Sequence, residues 1–132
     1  MKWHEILYIE DQKVVKAFYN SIPELKEIEI THMRFEAYGR RLAISCNLPF
    51  PDKEIQKWKQ KGFNTAGTVL RFPGSHDILF TGTFGPEVIA SLNIEMLEKE
   101  LLSVTISSTV CKMSFKCYRL HLDKIEGYII NA

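Results

Sequence analysis

The sequence predicts an α+β fold that is mainly β: an antiparallel sandwich or strongly curved meander sheet of seven to eight strands with an N-terminal helix. Three observations point there. The apolar spacing is helical only before Pro23 and has a period of two from Leu25 onward. Turn signals rich in Gly, Pro and Asp recur about every ten residues. At 132 residues, 45% hydrophobic and 25% charged, the chain has the size and composition of one domain, 1–132, with a helical segment at 2–20 and a β region at 24–130.

In chain order, Asp11 is placed to N-cap a helix whose stripe is Val14, Val15 and Phe18, and which should end near Asn20 before Pro23. Ile28 and Ile30 then alternate with Glu27, Glu29 and Thr31, and Leu42, Ile44 and Cys46 alternate with Ala43, Ser45 and Asn47. The join, EAYGRR, contains Gly39 for a positive φ, so these two strands form a first hairpin. Thr68, Leu70 and Phe72 predict a further strand, and Ile78 and Phe80 beyond the turn PGSHD predict its hairpin mate. After TGTFGPEV, the segments IASLNIEML and LLSVTISS keep a period near two across the charged turn EKE, which favours a third hairpin over a helix. CKMSFKCY is the cleanest strand, with Cys111, Met113, Phe115 and Cys117 inward and Lys112, Ser114, Lys116 and Tyr118 outward. A last strand is expected around Gly127.

Seventeen basic residues against sixteen acidic ones leave a net charge of +1, so no whole-molecule field draws the chain to polyanions. A nucleic-acid partner is therefore not expected. The first residues carry charges where a signal peptide needs an apolar region, and no apolar run is long enough to span a membrane, so a cytoplasmic location is expected. Cys46, Cys111 and Cys117 sit in strand patterns and read as buried free thiols.

Catalytic chemistry finds no foothold. His4, His32, His76 and His121 lie in different elements, away from the spacing that brings two imidazoles to one metal. His32 falls in phase with Ile28 and Ile30 and reads as a core-edge residue. Glu24, Glu27 and Glu29 read as a solvated strand face, and GSHDILFTGTFG lacks a phosphate-binding pattern. No cofactor, no metal and no enzymatic activity are expected.

The most informative stretch is PDKEIQKWKQKGFNT, residues 51–65, which reads as neither clean helix nor clean strand. Lys53, Lys57, Lys59 and Lys61 against Asp52 and Glu54 leave a local surplus of two positive charges, too slight for a phosphate-tracking groove. Trp58 and Phe63 have two readings, a clamp folding this loop onto the sheet with Asn64 bonding the turn backbone, or an anchor for a partner. The clamp is the favoured one.

The order SIPEL, EIEI, a hairpin, FPDKEIQKWKQKGFNT and DILFTG resembles the immunity protein 50 family of bacterial toxin–immunity systems. The matching positions are Pro23, Lys57, Trp58, Gly62, Phe63, Asn64, Thr65 and Gly82, with Pro23, Trp58, Gly62 and Asn64 as structural motif residues. Many members place another proline shortly before the lysine-tryptophan step, where this chain has Ile55. The resemblance implies a small protein without catalytic residues that binds and neutralises a cognate toxin protein. Candidate contact residues are Trp58, Phe63, the acidic turn with Glu95, Glu98 and Glu100, and the strand face with Lys112, Lys116 and Tyr118. The alternatives are a nucleic-acid- or carbohydrate-binding β module stacking on Trp58 and Phe63, and a small enzyme or metal protein using His32, His76 or His121.

Overall fold

A computed structural model describes residues 2–85 and 88–130, so Pro86 and Glu87 of the TGTFGPEV passage lie outside the described residues. A 3-10 turn at Trp3–Ile6 precedes α1 (Ile9–Phe18). Then come β1 (Ile28–Glu36), β2 (Arg41–Leu48), α2 (Gln56–Lys61), β3 (Thr65–Pro73), β4 (His76–Gly82), β5 (Val88–Glu98), β6 (Leu101–Ser108), β7 (Cys111–Cys117), β8 (His121–Leu122) and β9 (Glu126–Tyr128). All pairings are antiparallel in one sheet, ordered β4-β7-β6-β5-β1-β2-β3-β8, with β9 also on β3.

The connectivity forces this sheet to curl. Six ladder steps separate β3 from β4, a distance of about 29 Å if the sheet were flat with strands about 4.8 Å apart. The link runs only from Pro73 to His76, at most about 11 Å of chain. The two halves therefore fold face to face, and Phe72 of β3 meets Phe115 of β7 edge-on with ring centroids 5.1 Å apart. The ends β4 and β8 do not pair, so there is no closed barrel. Between the halves lie the most deeply buried side chains, among them Ile30, Leu42, Ile44, Leu70, Phe72, Val104 and Ile106.

The curl corrects one expected hairpin. β4 pairs β7 and not β3, because Gly74 at φ +70 turns the chain round a corner between the two halves. β4 is consequently an edge strand, and Phe80, expected inside, is exposed beside an exposed Leu79. The other two hairpins, β1–β2 and β5–β6, form as the alternation predicts.

A bulge in β1 corrects the reading of His32. The register with β2 shifts between Ile30 and His32, which moves His32 onto the outer face opposite Ser45, where it is exposed. Asp11 is also reassigned. The N-cap of α1 is Tyr8, and the Asp11 carboxylate accepts the Leu122 N–H (3.1 Å), bonding α1 to β8. Tyr8 packs at a tilt against His121, ring centroids 4.6 Å apart, so the helix runs along the open edge of the sheet. All three cysteines are buried and free.

Candidate partner-binding surface

Residues 56–61 form a helix of six residues ended by Gly62 in the left-handed region (φ 69). The Gly62 N–H bonds Lys59 O and the Phe63 N–H bonds Trp58 O, which closes the cap. This geometry aims Trp58 inward, 9% exposed, against Phe18 (5.0 Å), Phe50 (5.9 Å) and Phe63 (5.9 Å). Gly127 passes beneath: a Cβ there would lie 2.3 Å from the Phe63 ring and 2.8 Å from the indole.

Asn64 does not bond the turn backbone. Its side chain donates to Ile130 O (2.9 Å) and accepts the Ile130 N–H (2.9 Å), while its own N–H reaches Tyr128 O (3.1 Å). The step Gly62–Phe63–Asn64 thus ties the C-terminal segment to the start of β3. Asp52 secures the other side by accepting the N–H groups of Asn20 (2.5 Å) and Ser21 (2.8 Å), bonds that hold its carboxyl below the usual carboxylate range. Pro23 contributes a carbonyl that takes the Trp3 indole N–H at 2.8 Å. A groove of about 470 Å3 remains beside the clamp, lined by Phe50, Ile55, Trp58 and Phe63 among others. Trp58 presents little of its surface to that groove, since it is 9% exposed.

The other sequence-predicted residues fall in two places. Glu95, Ser103 and Lys116 form one cross-strand row on the outer face of β5, β6 and β7, and Ser107 with Lys112 forms another. Tyr118, Glu98 and Glu100 gather instead at one end of the molecule. The Tyr118 N–H bonds Pro73 O (3.1 Å), and its ring covers Gly74 and stacks on His76 at 5.3 Å. Glu100 pairs with Arg119 at 3.5 Å. Trp58 and Phe63 lie by the start of β3, whereas Tyr118 lies by its end, a strand length of about 27 Å away. The predicted contact residues therefore do not form one compact site.

At the Tyr118 end lies a charge cluster that sequence reasoning missed. Glu36 accepts from Arg34 (3.1 Å), Arg41 (3.1 Å) and Arg71 (2.9 Å), and Arg71 also bonds Asp123 (2.5 Å). The Arg71 guanidinium foremost, and then that of Arg34, lower the Glu36 pKa to about 2. The β1–β2 turn projects beyond them with Tyr38 fully exposed and Phe35 more than half exposed. The signal in EAYGRR was the aromatic beside the turn glycine, which the alternation argument does not weigh. His32, His76 and His121 stand apart, and among the described residues no three His, Cys, Asp or Glu side chains gather as a metal site requires.

A family model described as immunity protein 50 matches residues 11–128. No curated protein and no solved structure matches the chain.

Proposed function

Since the chain belongs to the immunity protein 50 family, we propose that it binds a cognate bacterial toxin protein in a stoichiometric complex and neutralises it by occupancy, in the cytoplasm and without catalysis of its own. The observation that carries this reading is the family match across residues 11–128. The architecture suits it, because a stoichiometric inhibitor needs a preorganised surface that loses little freedom on binding. A curled sheet with a continuous core supplies such a surface. No helix among the described residues is long and apolar enough to cross a membrane.

In this reading Trp58, Phe63, Gly62 and Asn64 hold the scaffold, while Glu95, Lys112 and Lys116 on the outer face, and Glu98, Glu100 and Tyr118 at the end, are available to a partner. The test is co-expression with the toxin encoded beside the gene, followed by titration of the purified proteins. Restored growth and neutralisation that saturates at one equivalent are expected. Absence of any complex, or toxin inactivation by substoichiometric amounts as an enzyme would achieve, refutes the proposal.

A further inference from the structure

The β1–β2 turn carries a residue that the fold does not account for. Ala37 (φ 52) and Tyr38 (φ 58) both occupy the left-handed region, ahead of Gly39 (φ 83), and the Gly39 N–H bonds Glu36 O at 3.1 Å. A tight hairpin turn with two such residues favours Asn-Gly, since a Cβ is strained there. Tyr38 is strained and fully exposed, so its ring contributes nothing to the core in return.

The turn is nonetheless rigidly held. Glu36 at its base is bonded by Arg34, Arg41 and Arg71, and Arg40 O accepts the Gly74 N–H (2.9 Å) from the corner that Tyr118 covers. Arg40 itself is exposed, and its guanidinium has no hydrogen-bond or ion-pair partner among the described residues. Around the turn itself Arg34, Arg40, Arg41 and Arg71 outnumber Glu36 and Asp123 by two, while Glu98, Glu100 and Arg119 lie on the Tyr118 side of the same end. Tyrosine and arginine are also, with tryptophan, the side chains enriched among those that dominate protein–protein binding energy.

We infer that this turn is the anchor for the toxin: Tyr38 and Arg40 enter a carboxylate-lined cleft on the partner, with Tyr118 at the rim. The inference rests on the reading of the chain as an immunity protein and specifies where and by what chemistry it binds. A projecting turn with one exposed ring fits a concave protein surface and offers no groove along which a nucleic-acid backbone could run.

Strain and binding make opposite predictions for one substitution, Tyr38→Gly. Relief of the left-handed strain raises the melting temperature, by about 3 °C. Loss of the ring weakens binding to a catalytically inactivated form of the neighbouring toxin about ten-fold or more, measured by calorimetry. Arg40→Glu weakens it similarly while melting within about 2 °C of the unaltered protein. If both variants bind as tightly as the unaltered chain, or lose affinity only together with stability, the turn is not the anchor and the immunity reading still stands. If the unaltered chain neither binds nor neutralises, that reading falls and takes this inference with it. Tight binding of a labelled single-stranded DNA oligonucleotide that both variants abolish would likewise overturn a protein cleft as the occupant.

Discussion

Gly127→Ala adds one methyl group at the point where the C-terminal segment crosses the aromatic clamp. The new Cβ would sit 2.3 Å from Phe63 Cδ2 and 2.8 Å from two indole carbons of Trp58, well inside van der Waals contact. Because Gly127 lies outside the left-handed region, the backbone accepts alanine, and a strand gains up to about 1 kcal/mol on losing a glycine. Overpacking against two rings costs about 3 kcal/mol at the upper end of such substitutions, leaving a net loss of about 2 kcal/mol. With about 2.1 cal/mol/K of unfolding entropy per residue, a chain of 132 residues should melt about 7 °C lower.

Differential scanning calorimetry reads that shift, and Gly62→Ala is the control. Its Cβ meets nothing within 4 Å, yet φ is +69, so the loss is conformational, about 1 kcal/mol and about 4 °C. Adding Phe63→Leu to Gly127→Ala removes the nearer clash and should give a double variant more stable than the sum of the single effects. Melting of Gly127→Ala within about 1 °C of the unaltered protein would refute the clamp.

Trp58→Ala should lose about 3–5 kcal/mol in chemical denaturation, as expected for a buried indole; a loss below about 1 kcal/mol would mean that the aromatic cluster is not part of the cooperative fold. Glu36, lowered from 4.5 to about 2, contributes stability that is fully present above pH 4.5 and is lost as pH falls through 2. Glu36→Gln should therefore flatten the acid limb of the stability–pH curve in that window and leave its alkaline limb unchanged, and an unaltered acid limb would contradict the guanidinium cluster. Burial pushes the Cys46 and Cys117 thiols up to about 12, so neither should react with a thiol reagent at pH 8 until the protein unfolds, and rapid labelling of the native protein at either would show an open core.

Period-two alternation made β1, β2, β3, β5, β6 and β7 readable, because each has one face in the core and neighbours that pair over most of its length. It was least informative where backbone geometry breaks the period. The bulge after Ile30 carried His32 outward, and the corner at Gly74 sent β4 to a strand far along the sheet. Residues 51–65 resisted a label because α2 has six residues and buries just Trp58, too short a stripe for helical periodicity to register.

Composition, alternation and the motif between Pro23 and Gly82 were enough to determine a mainly β fold with free buried thiols and a resemblance to the immunity protein 50 family, because burial and turn chemistry are properties of local pattern. Tertiary structure alone decided which residues share a surface. The sheet had to curl before Tyr118 of the β7 end could reach Gly74 beside Arg40, and β2 had to pair with both β1 and β3 before Arg71 could join Arg34 and Arg41 on Glu36. Those contacts join residues more than thirty positions apart in the chain, and local pattern carries no information about them until the strands have paired in register and the sheet has curled.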